Sequence, residues 1–415
     1  NGSTIISYYE TLASATTYVT SGNTIKPLVD KTETKESTVT VSKTVTLDLN
    51  GKTITLNDTT LKNNGTLTIT GSGTLTNSST NGDFSIYNTG TVTVSSGTIS
   101  SIQGAIHNNG TAIVTGGTII STSYVGVFNR AEGVLTVGTN ETTPSVSTTV
   151  PSITGKIAGV LVGKTFNFYD GVIKGQSGAG TSINGTITAT PTGYGARKTS
   201  STVDSVTTET AVLVPANYAE YNGSTIISYY ETLASATTYA TSGNTIKPLV
   251  NRTETIEATV AASKNITLDL NGKTITLNGT TLKNNGKLTI TGSGTLTGSG
   301  ANTVINAGTL TKTGTSKIIN TSTSAYGAIG NTGTATISAG TITSAYRTIT
   351  NSNKLTITGG TITGSDIAVN NSGTATVTGG TITSTGKIGI YNTAEGKLTI
   401  GTNETTPSVS TTVPS

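Results

Sequence analysis

Asn63-Asn64-Gly65-Thr66-Leu67-Thr68-Ile69-Thr70-Gly71-Ser72-Gly73-Thr74-Leu75 holds a polar bend, an alternating run, a glycine-marked bend and the start of a second run. Successive side chains of a strand point to opposite faces, so Leu67 and Ile69 face one way and Thr66, Thr68 and Thr70 the other. Asn and Gly tolerate the left-handed backbone that a tight bend needs. The stretch therefore reads as short strands joined by sharp corners.

Working outward, both corners recur. A Gly-Thr-[Ile/Leu] step marks Gly73, Gly97, Gly117, Gly294, Gly340, Gly360 and Gly380, with a degenerate copy at Gly314. An Asn-rich bend recurs at Asn63-Asn64-Gly65, Asn88-Thr89-Gly90, Asn108-Asn109-Gly110, Asn284-Asn285-Gly286 and Asn370-Asn371. A third run, Val125-Gly126-Val127-Phe128-Asn129, completes the set. A period of about 20 residues with three short strands matches one turn of a solenoid. The expected fold is all-β, a right-handed parallel β-helix (β-solenoid). Its structural corners are Asn63, Asn88, Asn108, Asn129, Asn284, Asn370, Gly73, Gly97, Gly117, Gly360 and Gly380. Asn stacked on successive turns can hydrogen-bond along the axis. Asn-Gly between alternating runs also suits an antiparallel hairpin, but hairpins need not repeat their turn sequence. Leucine-rich repeats share the period, but their Leu lattice is missing.

A longer repeat encloses the short one. Asn1–Tyr18 recurs unchanged at Asn222–Tyr239, an offset of 221, and Gly138–Ser152 recurs at Gly401–Ser415, an offset of 263. The surplus of 42 residues is about two turns, which only stacked modules can gain without losing their ends. The expected organisation is a first unit over 1–221, with a capping helix at about 6–18, coils over about 38–152 and a closing segment over 153–221. A second, enlarged unit covers 222–415 and stops before its closing segment, as a window on a longer array would. The helix is expected in Tyr8-Tyr9-Glu10-Thr11-Leu12-Ala13-Ser14-Ala15 and its copy at Tyr229–Ala236, covering the open core of each unit.

Composition agrees. Charged residues are only 11%, the net charge is +4, and Cys, Met and Trp are absent. Thr, Ile and Val favour strands because branched side chains pack well on a pleated surface, and disorder would need a higher net charge. The basic residues are scattered singly, which argues against nucleic acid. No apolar run approaches a membrane span.

Thr38–Leu56 (TVTVSKTVTLDLNGKTITL), Ile266–Leu277 (ITLDLNGKTITL) and Phe166–Gly175 (FNFYDGVIKG) are similar to the pectin-lyase-like β-helix repeats of bacterial surface proteins. They also resemble those of very large secreted proteins of Gram-positive bacteria. The resemblance covers nearly all of the chain. It implies an extracellular or cell-surface location and a stalk, fibre or adhesin.

Little catalytic chemistry is legible. Hydrolases of this fold need paired carboxylates, whereas the 20 Asp and Glu are dispersed. Asp48 and Asp269 occupy the same place in both LDLNGKTI segments and, like Asp170, read as turn formers. His107 lacks acidic or Cys neighbours and reads as structural. No catalytic residue, cofactor site or metal site is expected. Outward threonines on a flat face suggest ice or crystal binding, against which stand Lys287, Lys354 and Lys397 within the pattern. Tyr124, Tyr326 and Tyr346 at coil edges could stack on sugars, but nothing in the sequence picks out such a site and they read by default as corner packing. The expected partners are further copies or repeats of the same protein, then glycans. The expected role is a rigid extracellular rod, with a glycan- or surface-binding adhesin module as the alternative.

Overall fold

The computed structural model describes residues 4–176, 181–323 and 326–401. They form two compact units, Asn1–Val214 and Pro215–Ser415. Both are β-solenoids of stacked parallel strands.

In the first unit the alternating runs become three sheets. The first stacks Thr24–Ile25, Thr44–Asp48, Thr66–Thr70, Thr91–Val94, Thr111–Val114, Val134–Val137 and Thr165–Phe168 in that order. Pairing is parallel and in register, which aligns inward residues into columns. Val45, Leu67, Val92, Ala112, Leu135 and Phe166 form one. Leu47, Ile69, Val94, Val114, Val137 and Phe168 form the next. The second sheet adds Ile54, Leu75, Ile99, Ile119, Ile153 and Ile173. The third adds Leu61, Ile86, Ile106, Val127, Val160 and Ile183. All are essentially inaccessible to water, and each large aliphatic side chain contributes about 1.5–3 kcal/mol by its burial.

A parallel stack leaves unpaired strand edges only at its ends, and there the structure departs from the repeat. Helix α1 (Leu12–Tyr18) covers the start, with Thr11 and Ser14 in a reciprocal capping box and Leu12, Ala15 and Thr16 buried. The coils run on beyond residue 152, through Ser152–Gly155, Ala158–Val162, Thr165–Phe168, Val172–Gly175 and Thr181–Asn184. An antiparallel hairpin, Tyr194–Val203 with Val206–Pro215, then closes the second sheet. It inserts Ala196, Ala211 and Leu213 into the core.

The second unit repeats the plan. Its opening helix α2 (Leu233–Tyr239) has the same capping box, Thr232 with Ser235. Between the segments that match Thr44–Asp48 and Val134–Val137, the first unit has five first-sheet strands. The second has seven: Asn265–Asp269, Lys287–Thr291, Thr309–Lys312, Thr334–Ile337, Lys354–Gly364, Thr374–Ser384 and Lys397–Ile400. The 42-residue surplus is therefore two inserted coils. Lys354–Gly364 and Thr374–Ser384 pass through their glycine bends without breaking, which joins two sheets of this unit into one. The second copy of the Gly138–Ser152 motif lies, beyond Gly401, outside the described residues.

Candidate functional site

The most regular constellation is a ladder of inward asparagine side chains, one in each of several consecutive coils. Val39 and Val162 stand in the same column on either side of the first ladder, and Val260 before the second. Asn63 Nδ2 donates to Asn88 Oδ1 at 2.6 Å, Asn88 to Asn108 at 2.7 Å and Asn108 to Asn129 at 2.7 Å. In the second unit the series runs Asn284, Asn306, Asn331, Asn351, Asn371 and Asn392, each link 2.6–2.7 Å. Each interior amide also donates to backbone carbonyls at the bend, as Asn88 does to Gly90 at 3.1 Å and Thr111 at 3.0 Å. Asn suits this place because its amide offers two donors and an acceptor on a short stem. At the bend it thereby gives the glycine carbonyl a second donor beside the N–H of the next coil, as at Gly90, which also accepts the Thr111 N–H at 2.8 Å.

Five of the six asparagines expected at corners, Asn63, Asn88, Asn108, Asn129 and Asn284, stand in these ladders. Asn370 does not. It pairs in register with Thr350 and Tyr391 on the outer face, and Asn371 takes the inward position. The reason is strand parity: Val369 points inward, so the next inward residue is Asn371. Asn306-Ala307-Gly308 and Asn331-Thr332-Gly333 share the Asn-x-Gly spelling of Asn88-Thr89-Gly90, whereas Asn351 and Asn392 lack it. None of the four is among the expected corners, although counting by twos from the last inward apolar residue finds each.

The glycine corners have positive φ: Gly73 +152°, Gly97 +81°, Gly117 +73°, Gly360 +87° and Gly380 +91°. Space is as restrictive as conformation. A Cβ on Gly117 would lie 2.5 Å from the Gly97 carbonyl oxygen of the preceding coil.

The LDLNGKTI segments are also corners. Asp48 Oδ1 accepts the Asn50 N–H at 3.0 Å and Asp269 that of Asn271 at 3.0 Å. Asn50 and Asn271 have φ of +52° and +50°. Lys26 and Lys247 pair with the two aspartates at 2.8 and 3.1 Å, and the Lys26 ammonium holds the Asp48 carboxyl below its usual range. Asp170 accepts the N–H of Gly171 within its own bend and that of Ser147 from the loop before Ser152–Gly155.

Two non-repeated features stand apart. On the outer face of the first unit, His107 stacks on Tyr87 (centroids 4.4 Å, planes 11° apart) and meets Phe84 and Phe128 edge-on. Tyr124 joins both phenylalanines, and the Arg130 guanidinium lies 4.9 Å from the Phe128 ring. Burial among these rings, with the Arg130 charge second, pushes the His107 pKa down.

In the second unit, Lys312 occupies an inward column between Ile290 and Ile337 and is fully buried. Its ammonium donates to the carbonyls of Thr313 (2.8 Å), Ala339 (3.2 Å) and Gly314 (3.3 Å). Burial lowers its pKa to about 8. Alternation from Leu310 would have placed it inside, but a lysine is not looked for there.

The outer faces carry columns of hydroxyls. Thr245, Thr267, Thr289, Thr311, Thr336, Thr356, Thr376 and Thr399 are in register across the second unit. The neighbouring column reads Asn265, Lys287, Thr309, Thr334, Lys354, Thr374 and Lys397. Its lysines interrupt any two-column threonine grid. Tyr346 lies against Arg347, 5.2 Å from ring centroid to guanidinium, and Tyr326 is exposed.

Among the described residues no three His, Asp or Glu side chains gather as a metal site, and no helix is long and apolar enough to cross a membrane. No family model matches this chain, and neither a curated protein nor a solved structure does.

Proposed function

We propose that this chain is a structural segment of a long extracellular bacterial fibre or surface stalk, a stiff element lengthened by adding coils. The observation that supports the reading is the asparagine ladder, continuous across the two coils by which the second unit exceeds the first. Coils added without a break in backbone pairing or amide bonding make length adjustable while each interface stays the same. The crossovers between parallel strands are taken as right-handed, the hand such connections almost always have. A sparsely charged chain free of Cys and Met also presents few oxidisable groups. The reading excludes catalysis and assigns further repeats of the same protein as partners.

Imaging of the native assembly tests this. Unbranched filaments of serial segments, with strands about 4.8 Å apart along the axis by fibre diffraction, are expected. Discrete compact particles at the cell surface, or none there, would overturn it.

A second reading, contact with glycans, is favoured by the Phe84–Tyr87–His107–Tyr124–Phe128 face, since aromatic rings beside polar groups suit sugar rings. Titration of oligosaccharides against the chain and its Tyr124→Ala variant tests it. Absence of binding, or binding that the substitution leaves unchanged, discards it.

A further inference from the structure

The two units begin with almost the same sequence in two different surroundings. Residues 4–29 and 225–250 differ at one place, Val19 against Ala240. In the second unit the strand Tyr218–Asn222 lies between Thr225–Tyr230 and Thr245–Pro248, antiparallel to both. Glu220 anchors it. Its buried carboxylate accepts the Thr241 N–H and the Asn244 amide, both at 2.7 Å, and the Tyr230 hydroxyl at 2.5 Å. The Tyr218 hydroxyl donates to buried Glu254 at 2.8 Å.

In the first unit nothing among the described residues fills that place. The first sheet ends at Thr24–Ile25, half the length of Thr245–Pro248, with no strand on its outer edge. Between it and residues 4–10 is a cleft of about 730 Å³, lined by Ile5, Tyr9, Leu12, Ile25, Leu28 and Glu33. The same side chains are far more exposed than their counterparts: Tyr9 39% against 1% for Tyr230, and Ile5 61% against 38% for Ile226. Among the described residues no carboxylate hydrogen-bonds Tyr9, Thr20 or Asn23, which match the three groups bound to Glu220.

We infer that this cleft is an acceptor groove for one antiparallel strand of the Tyr-Ala-Glu-Tyr type, supplied by the end of a neighbouring repeat unit. The groove has the free sheet edge, the buried carboxylate for an incoming tyrosine hydroxyl, and the Tyr9, Thr20 and Asn23 groups for an incoming carboxylate. Strand addition of this kind takes affinity from main-chain bonds and specificity from alternate side chains. The identity of the donor rests on the serial-fibre reading above; the geometry of the groove does not.

The test is amide hydrogen exchange on the full chain with and without Pro-Ala-Asn-Tyr-Ala-Glu-Tyr, a copy of residues 215–221, fused directly before Asn1. Exchange at Thr24–Lys26 is expected to slow at least tenfold in the fused chain, to the level of Thr245–Lys247. Replacing the copied glutamate by Ala, as in Glu220→Ala, is expected to remove most of that protection. Exchange unchanged by the fusion overturns the inference, and so does protection that survives the Ala replacement. Protection already present in the unfused chain through self-association would put a second copy in the groove and also overturn it. Filaments lacking this protection would sink only the strand assignment, and protection without filaments only the fibre reading.

Discussion

Asn331 Nδ2 donates to Asn351 Oδ1 at 2.6 Å while also serving the carbonyls of Lys354 and Gly333. One side chain thus ties two coils together and completes a corner. In Asn331→Ala, Asn351 Oδ1 loses its donor, and the Asn306 amide and the Gly333 and Lys354 carbonyls each lose one bond inside the fold. The expected loss is on the order of 3 kcal/mol, read from denaturant unfolding. Asn392→Ala, at an exposed ladder end, is expected to cost less than about 1 kcal/mol. Equal losses would remove the ladder's role in stability.

Lys312 should make stability depend on alkaline pH. Its folded pKa, about 8, lies below the ordinary 10.5. Between those values the unfolded chain keeps a proton that the folded chain has released, so stability rises with pH across that window. Below about 8 both forms are charged and the penalty is complete. The rise is expected to be about 3 kcal/mol. Lys312→Met should abolish it and be the more stable protein at pH 7. Urea midpoints at pH 7 and pH 10 decide, and parallel pH profiles for the two proteins would refute the assignment.

Gly117→Ala places a Cβ in a left-handed position 2.5 Å from the Gly97 oxygen. A loss on the order of 2 kcal/mol or more is expected. Gly82, with φ +96° but nothing within 4 Å of its would-be Cβ, gives the comparison: Gly82→Ala should cost about half as much. Calorimetric melting of both variants separates conformational strain from the contact between coils.

Deleting residues 354–373 removes one coil of the second unit and joins Asn353 to Thr374, a position equivalent to Lys354. The ladder would then pass from Asn331 through Asn351 to Asn392. The variant is expected to fold with an unchanged β-type circular dichroism spectrum and cooperative melting. Deleting residues 354–363 instead puts the strands out of phase and is expected to unfold the later coils. Equivalent behaviour of the two would contradict modular stacking.

How much of this was legible depended on the distance over which each feature is encoded. Thr66–Thr70 was readable because alternation and a following glycine are local, and parallel register then follows from the repeat. Asn371 was encoded just as locally, by counting from Val369, but the corner spelling drew attention to Asn370. The groove was not readable. The sequences flanking it are nearly identical in both units, and what differs is a strand contributed by residues 218–222, which starts before the repeated segment opens at Asn222. His107 was read as structural from its lack of acidic partners, but its stacking depends on Phe84 and Phe128, in different coils.

The asparagine bonds all run the same way: every Nδ2 points to the coil that follows it in the chain. Each ladder is therefore a head-to-tail row of amide dipoles, oxygen first, and aligned bonds of this kind polarise one another. The buried Oδ1 of Asn63, which has no donor, is the negative terminus of one such row. The axis of a unit consequently has an electrical sense, and its two ends are not interchangeable to an approaching charge.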